Sequence, residues 1–254
     1  MKDAIELITY KPEANCLANK NIVVTGAGSG IGAQAAMSFA EFGATVILAG
    51  RTLEKLEWVY DKIEQAGYPK PAIYPINLEG AAEQDFIAMG DALKAEFKCI
   101  DGLLHNAAEL GARTPIANYP LRDWQKLMQV NVTAPFLMTR SLLPLLQKSQ
   151  AASILFTGSS VGVKGRAYWG AYAVSKAACE NMMQVLADEF DGNDKIRVNS
   201  INPGATRTGM RAIAYPAEDP GTVTEAKDLM NRYIYLMCDE SKSVNGQQFN
   251  AQPK

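Results

Sequence analysis

Tyr172 and Lys176 stand four residues apart in the run Ala171-Tyr172-Ala173-Val174-Ser175-Lys176. On a helix, that spacing turns both side chains to one face. A free phenol titrates near pH 10 and carries protons poorly at neutrality. A neighbouring ammonium favours the phenolate and brings the phenol into range for acid–base work. Ser159 lies 13 residues before Tyr172, just past an apolar run. Its hydroxyl could hold a substrate oxygen on which negative charge develops. Ser160, one residue on, is the competing position. Such a group can move a proton on or off an oxygen atom, as the interconversion of a carbonyl and an alcohol requires.

That chemistry needs a hydride carrier, and a glycine-rich run suggests one. Near the start of the chain, an apolar run leads into Thr25-Gly26-Ala27-Gly28-Ser29-Gly30-Ile31-Gly32. Glycines serve where the backbone turns tightly and approaches a pyrophosphate. The helix pattern that follows offers free N–H groups and a positive dipole end to the phosphates. No Gly-Lys-Ser/Thr is present, which argues against a P-loop nucleotidase. An NAD site usually carries Asp or Glu about 20 residues beyond the loop, on the ribose 2′-hydroxyl. Here the corresponding run is Leu48-Ala49-Gly50-Arg51-Thr52. A guanidinium suits a 2′-phosphate, so NADP(H) is expected ahead of NAD, with NAD kept as the alternative.

The elements that must position these groups can be read from periodicity. Strands are expected at 21–25, 45–49, 72–76, 100–105, 153–157 and 196–201. Several are nearly continuous in Val, Ile and Leu, as in strands covered on both faces. Helices are expected at 31–42, 53–65, 81–97, 121–147 and 171–190, with a further helix near 225–238 and a last strand near 247–250. Strand–helix alternation of this kind predicts an α/β fold with a doubly wound parallel sheet, the Rossmann arrangement, in one domain spanning 1–254. Residues 1–20 form an N-terminal extension. Residues 205–224 hold Pro216, Pro220, Gly209 and Gly221, an irregular stretch beside the site that is expected to act as a substrate lid.

Composition excludes other classes. The 254 residues are 48% hydrophobic and 20% charged, with a formal net charge of -2. This is an ordinary globular composition without the basic stripe of a nucleic-acid binder. No apolar run approaches the length of a membrane span, and residues 1–20 lack a signal-peptide pattern. A cytoplasmic protein is expected, with no membrane or nucleic-acid partner. Cys16, Cys99, Cys179 and Cys238 are scattered, and His105 is the only histidine. That pattern predicts reduced thiols and no metal site.

The glycine spacing, together with Ser159, Tyr172 and Lys176, resembles the short-chain dehydrogenase/reductase family, strongly over residues 20–208. The resemblance implies catalytic roles for Asn131, Ser159, Tyr172 and Lys176. It implies cofactor contacts from Gly26, Ser29, Gly30, Ile31, Gly32, Arg51, Asn77, Leu78, Asn106, Ala107, Tyr172, Lys176, Pro203, Gly204, Thr206 and Thr208. Asn77 stands where the family usually has Asp, and Ala108 where it usually has Gly. The runs 159–176, 182–189, 202–220 and 249–253 further look like the enterobacterial YciK-type oxidoreductases. A small-molecule carbonyl or alcohol substrate is implied, and a homodimer or homotetramer formed through the helices at 121–147 and 171–190.

The same residues admit other readings. A 3-oxoacyl thioester (acyl carrier protein) reductase is the competing specific activity, by family analogy. A dinucleotide-sensing protein without catalysis is the rival class, for which four retained catalytic residues serve no chemical need. Gly158-Ser159-Ser160-Val161-Gly162 fits a hydrolase nucleophile elbow, but that fold requires a histidine after the serine, and His105 precedes it. Pro135 cannot donate to the carbonyl of residue 131, so a freed Asn131 carbonyl holding a water for a proton relay is expected, with a plain helix kink as the alternative.

Overall fold

Strands alternate with helices along the chain in a computed structural model that describes residues 9–192 and 195–252. The strands are β1 (Asn21–Thr25), β2 (Thr45–Gly50), β3 (Ala72–Pro75), β4 (Gly102–His105), β5 (Ala152–Thr157), β6 (Ile196–Asn202) and β7 (Gln248–Asn250). They form one sheet in the order β3-β2-β1-β4-β5-β6-β7, and every pairing is parallel. Strand order reverses between β1 and β4. At such a switch point the neighbouring crossovers leave to opposite faces and open a crevice at the carboxyl ends of the strands.

Side-chain alternation explains the layers. In β1, Ile22 and Val24 enter one core cluster while Val23 enters the other. The first cluster joins α1 (Gly30–Glu41), α2 (Leu53–Gln65) and α9 (Met230–Met237) through residues such as Phe39, Leu56 and Tyr233. The second joins α3 (Glu83–Glu96), α5 (Ala134–Leu146) and α7 (Gly170–Glu189) through Phe86, Met138 and Met183. Both faces of the sheet are thereby covered, which is why its strands read as continuous apolar runs.

Of the expected extension 1–20, residues 1–8 lie outside the described residues, as does Pro253. Leu17 is fully buried in the first cluster, and the Tyr10 hydroxyl donates to Glu240 Oε1 at 2.6 Å. Among the described residues no helix is long and apolar enough to cross a membrane.

Three elements differ from their expected form. The helix expected at 121–147 is divided into α4 (Leu121–Met128), a π-helical turn (Gln129–Thr133) and α5. Pro135 has no N–H to return to residue 131, so the ladder slips there. The carbonyl freed by this slip is not vacant: the Cys179 thiol of α7 donates to Asn131 O at 2.9 Å. The helix expected near 225–238 is a 3-10 turn (Ala226–Leu229) followed by α9. The stretch expected to be irregular, 205–224, is a closed excursion. A bridge between Thr206 and Thr224 joins its ends, and α8 (Gly209–Ala214) lies inside it.

Candidate active site

The phosphate loop is built around Thr25. Its hydroxyl donates to the Leu104 carbonyl at 3.2 Å and accepts from the N–H groups of Asn106 and Ala107 at 2.9 and 3.0 Å. This ties the end of β1 to the segment leaving β4, and sets the width of the crevice. Gly26 has φ +67, and a Cβ there would sit 3.0 Å from Ala107 Cα. Ser29 precedes α1 in extended conformation without capping it. The first-turn N–H groups of α1 thus receive no side-chain cap, as an anion site requires.

Gly32 stands behind the lining. A Cβ on it would lie 2.3 Å from the Gly26 carbonyl oxygen, so the helix approaches the loop as closely as a glycine permits. Gly32→Ala is therefore expected to cost about 1–3 kcal/mol of stability through forced backbone shifts, and to weaken dinucleotide binding with it. Gly165→Ala is the control, because a methyl there meets nothing within 4 Å. Urea unfolding of the two variants, with cofactor titration alongside, checks this.

A groove of about 450 Å³ runs across the carboxyl ends of the strands. Its lining brings together Gly26, Ser29, Gly30, Ile31, Arg51, Asn77, Leu78, Asn106, Ala107, Tyr172, Lys176, Pro203 and Thr208. Gly204 and Thr206 shape the turn beside it. Gly204 has φ +72, and buried Thr206 donates to the Pro203 carbonyl at 3.3 Å. The groove also takes in Met210 from the expected lid, and Lys55, Glu79 and Glu109, which sequence reasoning missed. Lys55, on the first turn of α2, could have been found from its place just beyond Arg51. Glu109 carries no local signal, since its relation to Arg51 arises only when β2 and β4 are set on either side of β1.

At the other end of the groove, α7 presents Tyr172 and Lys176. The Lys176 Nζ lies 5.7 Å from the centre of the Tyr172 ring and donates to the Thr157 carbonyl at 2.7 Å. Lys176 is buried, while Tyr172 is half-buried at the groove wall. Ser159 is half-buried and precedes the short helix α6 (Ser160–Val163), in which Ser160 is exposed. A Cβ on Gly162 would meet the Lys176 backbone carbon at 2.8 Å. A glycine there is what lets α6 lie directly against α7; Ser159, at the start of α6, is not among the residues that line the groove.

Asn131 is buried in the π-helical turn, and its side chain is fully engaged. Its Oδ1 accepts from the Glu109 N–H at 2.8 Å. Its Nδ2 donates to the Glu109 carbonyl at 2.9 Å and to Ser175 Oγ at 3.0 Å. Through these bonds it reaches Lys176 by way of the neighbouring Ser175, and it holds the Glu109 segment at the groove wall.

His105 is packed, as expected for the end of β4, with Nε2 2.8 Å from Thr139 Oγ1 and its ring 4.8 Å from that of Phe156. Burial, with the charge of Lys176 adding to it, pushes the imidazole down to about 3. A depressed folded value means that the unfolded chain takes up the proton first. The stabilising preference for neutral imidazole is complete above about pH 6.5 and is lost as pH falls towards 3. Between those values, stability is expected to fall by about 1.4 kcal/mol per pH unit from this residue alone. His105→Gln should flatten that limb in urea unfolding measured at pH 7 and pH 5. An unchanged slope would contradict the assignment.

The excursion 205–224 is latched beside Tyr172. The Arg113 guanidinium stacks on Trp169 and Tyr215 at 4.7 and 5.2 Å and donates to the Ala214 carbonyl. Arg211 stacks on Tyr215 at 3.7 Å and makes two bonds of 2.6 Å to Glu218. Trp169 in turn touches Tyr172, with ring centres 5.8 Å apart.

A glycine-rich loop at a switch point, in one groove with a Tyr–Lys pair on α7, defines a dinucleotide-dependent oxidoreductase. The profile of the short chain dehydrogenase family matches residues 20–219. The chain is 47% identical over 244 residues to YciK of Escherichia coli K12, described as an uncharacterized oxidoreductase, and the match covers 96% of each chain. A crystal structure of a short chain dehydrogenase from Salmonella enterica serovar Typhi superposes with a TM-score of 0.94 at 48% identity, covering 96% of this chain and all of that one. One from Escherichia coli CFT073, complexed with NADPH, superposes with a TM-score of 0.93 at 47% identity, covering 95% of this chain and all of that one. The chain belongs to the short-chain dehydrogenase family. It is an NAD(P)-dependent oxidoreductase acting on CH–OH groups.

Proposed function

We propose that this protein uses NADP(H) to interconvert a carbonyl and an alcohol on a small molecule, with Tyr172 as the acid–base group. The observation that carries this reading is one continuous groove with the phosphate loop and Arg51 along it and the Tyr172–Lys176 pair at its wall. The relative solved with NADPH supports the choice of cofactor. The glycine cradle at Gly26 and the uncapped start of α1 fit a pyrophosphate. Ser29, Gly30 and Ile31 would hold it, Arg51 would take the 2′-phosphate, and Asn77 and Leu78 would flank the adenine. Asn106, Ala107, Pro203 and Thr208 would line the path to the nicotinamide. When bound, that cofactor supplies or accepts the hydride.

The chain's own residues do the rest. In reduction, the Tyr172 hydroxyl gives its proton to the substrate oxygen as the carbonyl carbon receives hydride, and an alcohol results. In oxidation the same hydroxyl oxygen takes the proton back. The Ser159 hydroxyl donates to that oxygen where charge develops. Lys176 contributes its ammonium and contacts the ribose hydroxyls. Asn131 positions the helix that carries Lys176.

Residues 205–224 act as a lid over the substrate, with Met210 at the groove and Tyr215 beside Trp169. Phe136 on α5 and Val174 and Val185 on α7 are exposed apolar residues on the two long helices. They support a homodimer or homotetramer formed there, and we propose a cytoplasmic location for it.

Purified protein incubated with NADPH and a panel of cyclic ketones and 3-oxoacyl thioesters tests the reading. Steady consumption of NADPH with at least one member is expected. Tight NADPH binding with no consumption across the panel would favour a sensing protein.

A further inference from the structure

Arg51 leaves β2, and Glu109 lies four residues beyond β4, on the opposite side of β1. Their side chains meet across the groove, with Arg51 Nη1 2.9 Å from Glu109 Oε1. Both line the same groove as the phosphate loop. The guanidinium proposed to receive a 2′-phosphate therefore already carries a carboxylate of the chain itself.

Glu109 is not a loosely hung surface acid. Its N–H and its carbonyl are both held by the Asn131 side chain, at 2.8 and 2.9 Å. The Glu109 backbone therefore stays in place, and only side-chain rotation, of Glu109 or of Arg51, parts the pair. The Glu109 side chain is also less exposed than its partner's, at 29% against 60%. A phosphate at Arg51 shares the guanidinium with this anion and sits close to it. A dinucleotide with a free 2′-hydroxyl carries no charge there and can leave the pair intact, and a carboxylate is a good acceptor for such a hydroxyl.

We infer that Glu109 is a specificity-determining residue, an internal competitor for the cofactor's 2′-phosphate at Arg51 that narrows the preference for NADPH over NADH. This rests on the reading of Arg51 as the 2′-phosphate ligand. Asn131 sets its strength by anchoring the Glu109 backbone. The preference of this chain is thus a balance between Arg51 and Glu109 rather than a property of Arg51 alone.

Direct titration of Glu109→Gln with NADPH and with NADH tests it. Glutamine keeps the size and loses the charge. NADPH binding is expected to tighten by roughly threefold to fivefold, the scale of an exposed ion pair, with NADH unchanged or slightly weaker. Weaker or unchanged NADPH binding would overturn the inference, weaker binding because Glu109 would then be holding Arg51 in place for the phosphate. Equal tightening of both cofactors would also overturn it, because that is a general charge effect on the groove. The same substitution in an Arg51→Ala background keeps the two readings apart. There, Glu109→Gln should no longer improve NADPH binding selectively. If Arg51→Ala alone leaves NADPH affinity unchanged, it is the assignment of Arg51 that has failed.

Discussion

Tyr172→Phe is expected to lose about a hundredfold to ten-thousandfold in turnover while NADPH affinity changes by less than about threefold. The substitution removes one oxygen from a ring that otherwise stays packed. The ring keeps its neighbour Trp169 at 5.8 Å and the Lys176 ammonium at 5.7 Å. His105 is buried, bonded to Thr139 and held neutral, so it cannot serve as a substitute acid. Steady-state rates and a fluorescence titration of NADPH on the same preparation separate the two quantities. A variant with full activity would show that the proton comes from elsewhere.

Arg51→Ala is expected to weaken NADPH binding by about tenfold to a hundredfold and to leave NADH binding nearly unaffected. The loss comes from charged hydrogen bonds to a phosphate that NADH lacks. Because the Arg51 side chain is 60% exposed, salt should screen part of the effect, and the gap between the cofactors should shrink as ionic strength rises. Titration of wild type and variant with both cofactors at two salt concentrations checks the prediction. Equal loss for NADPH and NADH would mean that Arg51 supports the groove rather than the 2′-phosphate.

The parts of this site that were legible in the sequence are those fixed by local spacing. Tyr172 and Lys176 share a face because four residues make one helical turn. The glycine run announces a close backbone approach because Gly26 and Gly32 admit no Cβ without moving the loop or its neighbours. Six strands were located within two residues at each end, five of them because strands buried on both faces leave unbroken apolar runs; β3, at the sheet edge, is only partly buried. The weakest boundary was the start of β4, where the Asp101 side chain accepts from the Asn21 N–H and Ser149 Oγ.

What could not be read depends on contacts between distant segments. The Arg51–Glu109 pair joins residues 58 apart, just beyond the two strands that flank β1 in the sheet. The stack of Arg113 on Trp169 and Tyr215 draws on three separate segments. The π-helical turn was half legible. Pro135 marked the break in the ladder, but the partner that fills it, the Cys179 thiol, comes from another helix. Composition also concealed the order within 205–224, since its proline and glycine content reads as irregular while the Thr206–Thr224 bridge closes it.

The most direct test of the proposed chemistry follows a labelled hydrogen. Wild-type protein is supplied with NADPH carrying deuterium at the transferable position of the nicotinamide, together with a ketone from the panel. Deuterium is expected on the carbinol carbon of the alcohol formed by the wild type, and the Tyr172→Phe variant should form almost none of that product. NADPH that binds in the groove but passes no deuterium to any carbonyl would contradict the central claim and make this chain a binder of the dinucleotide.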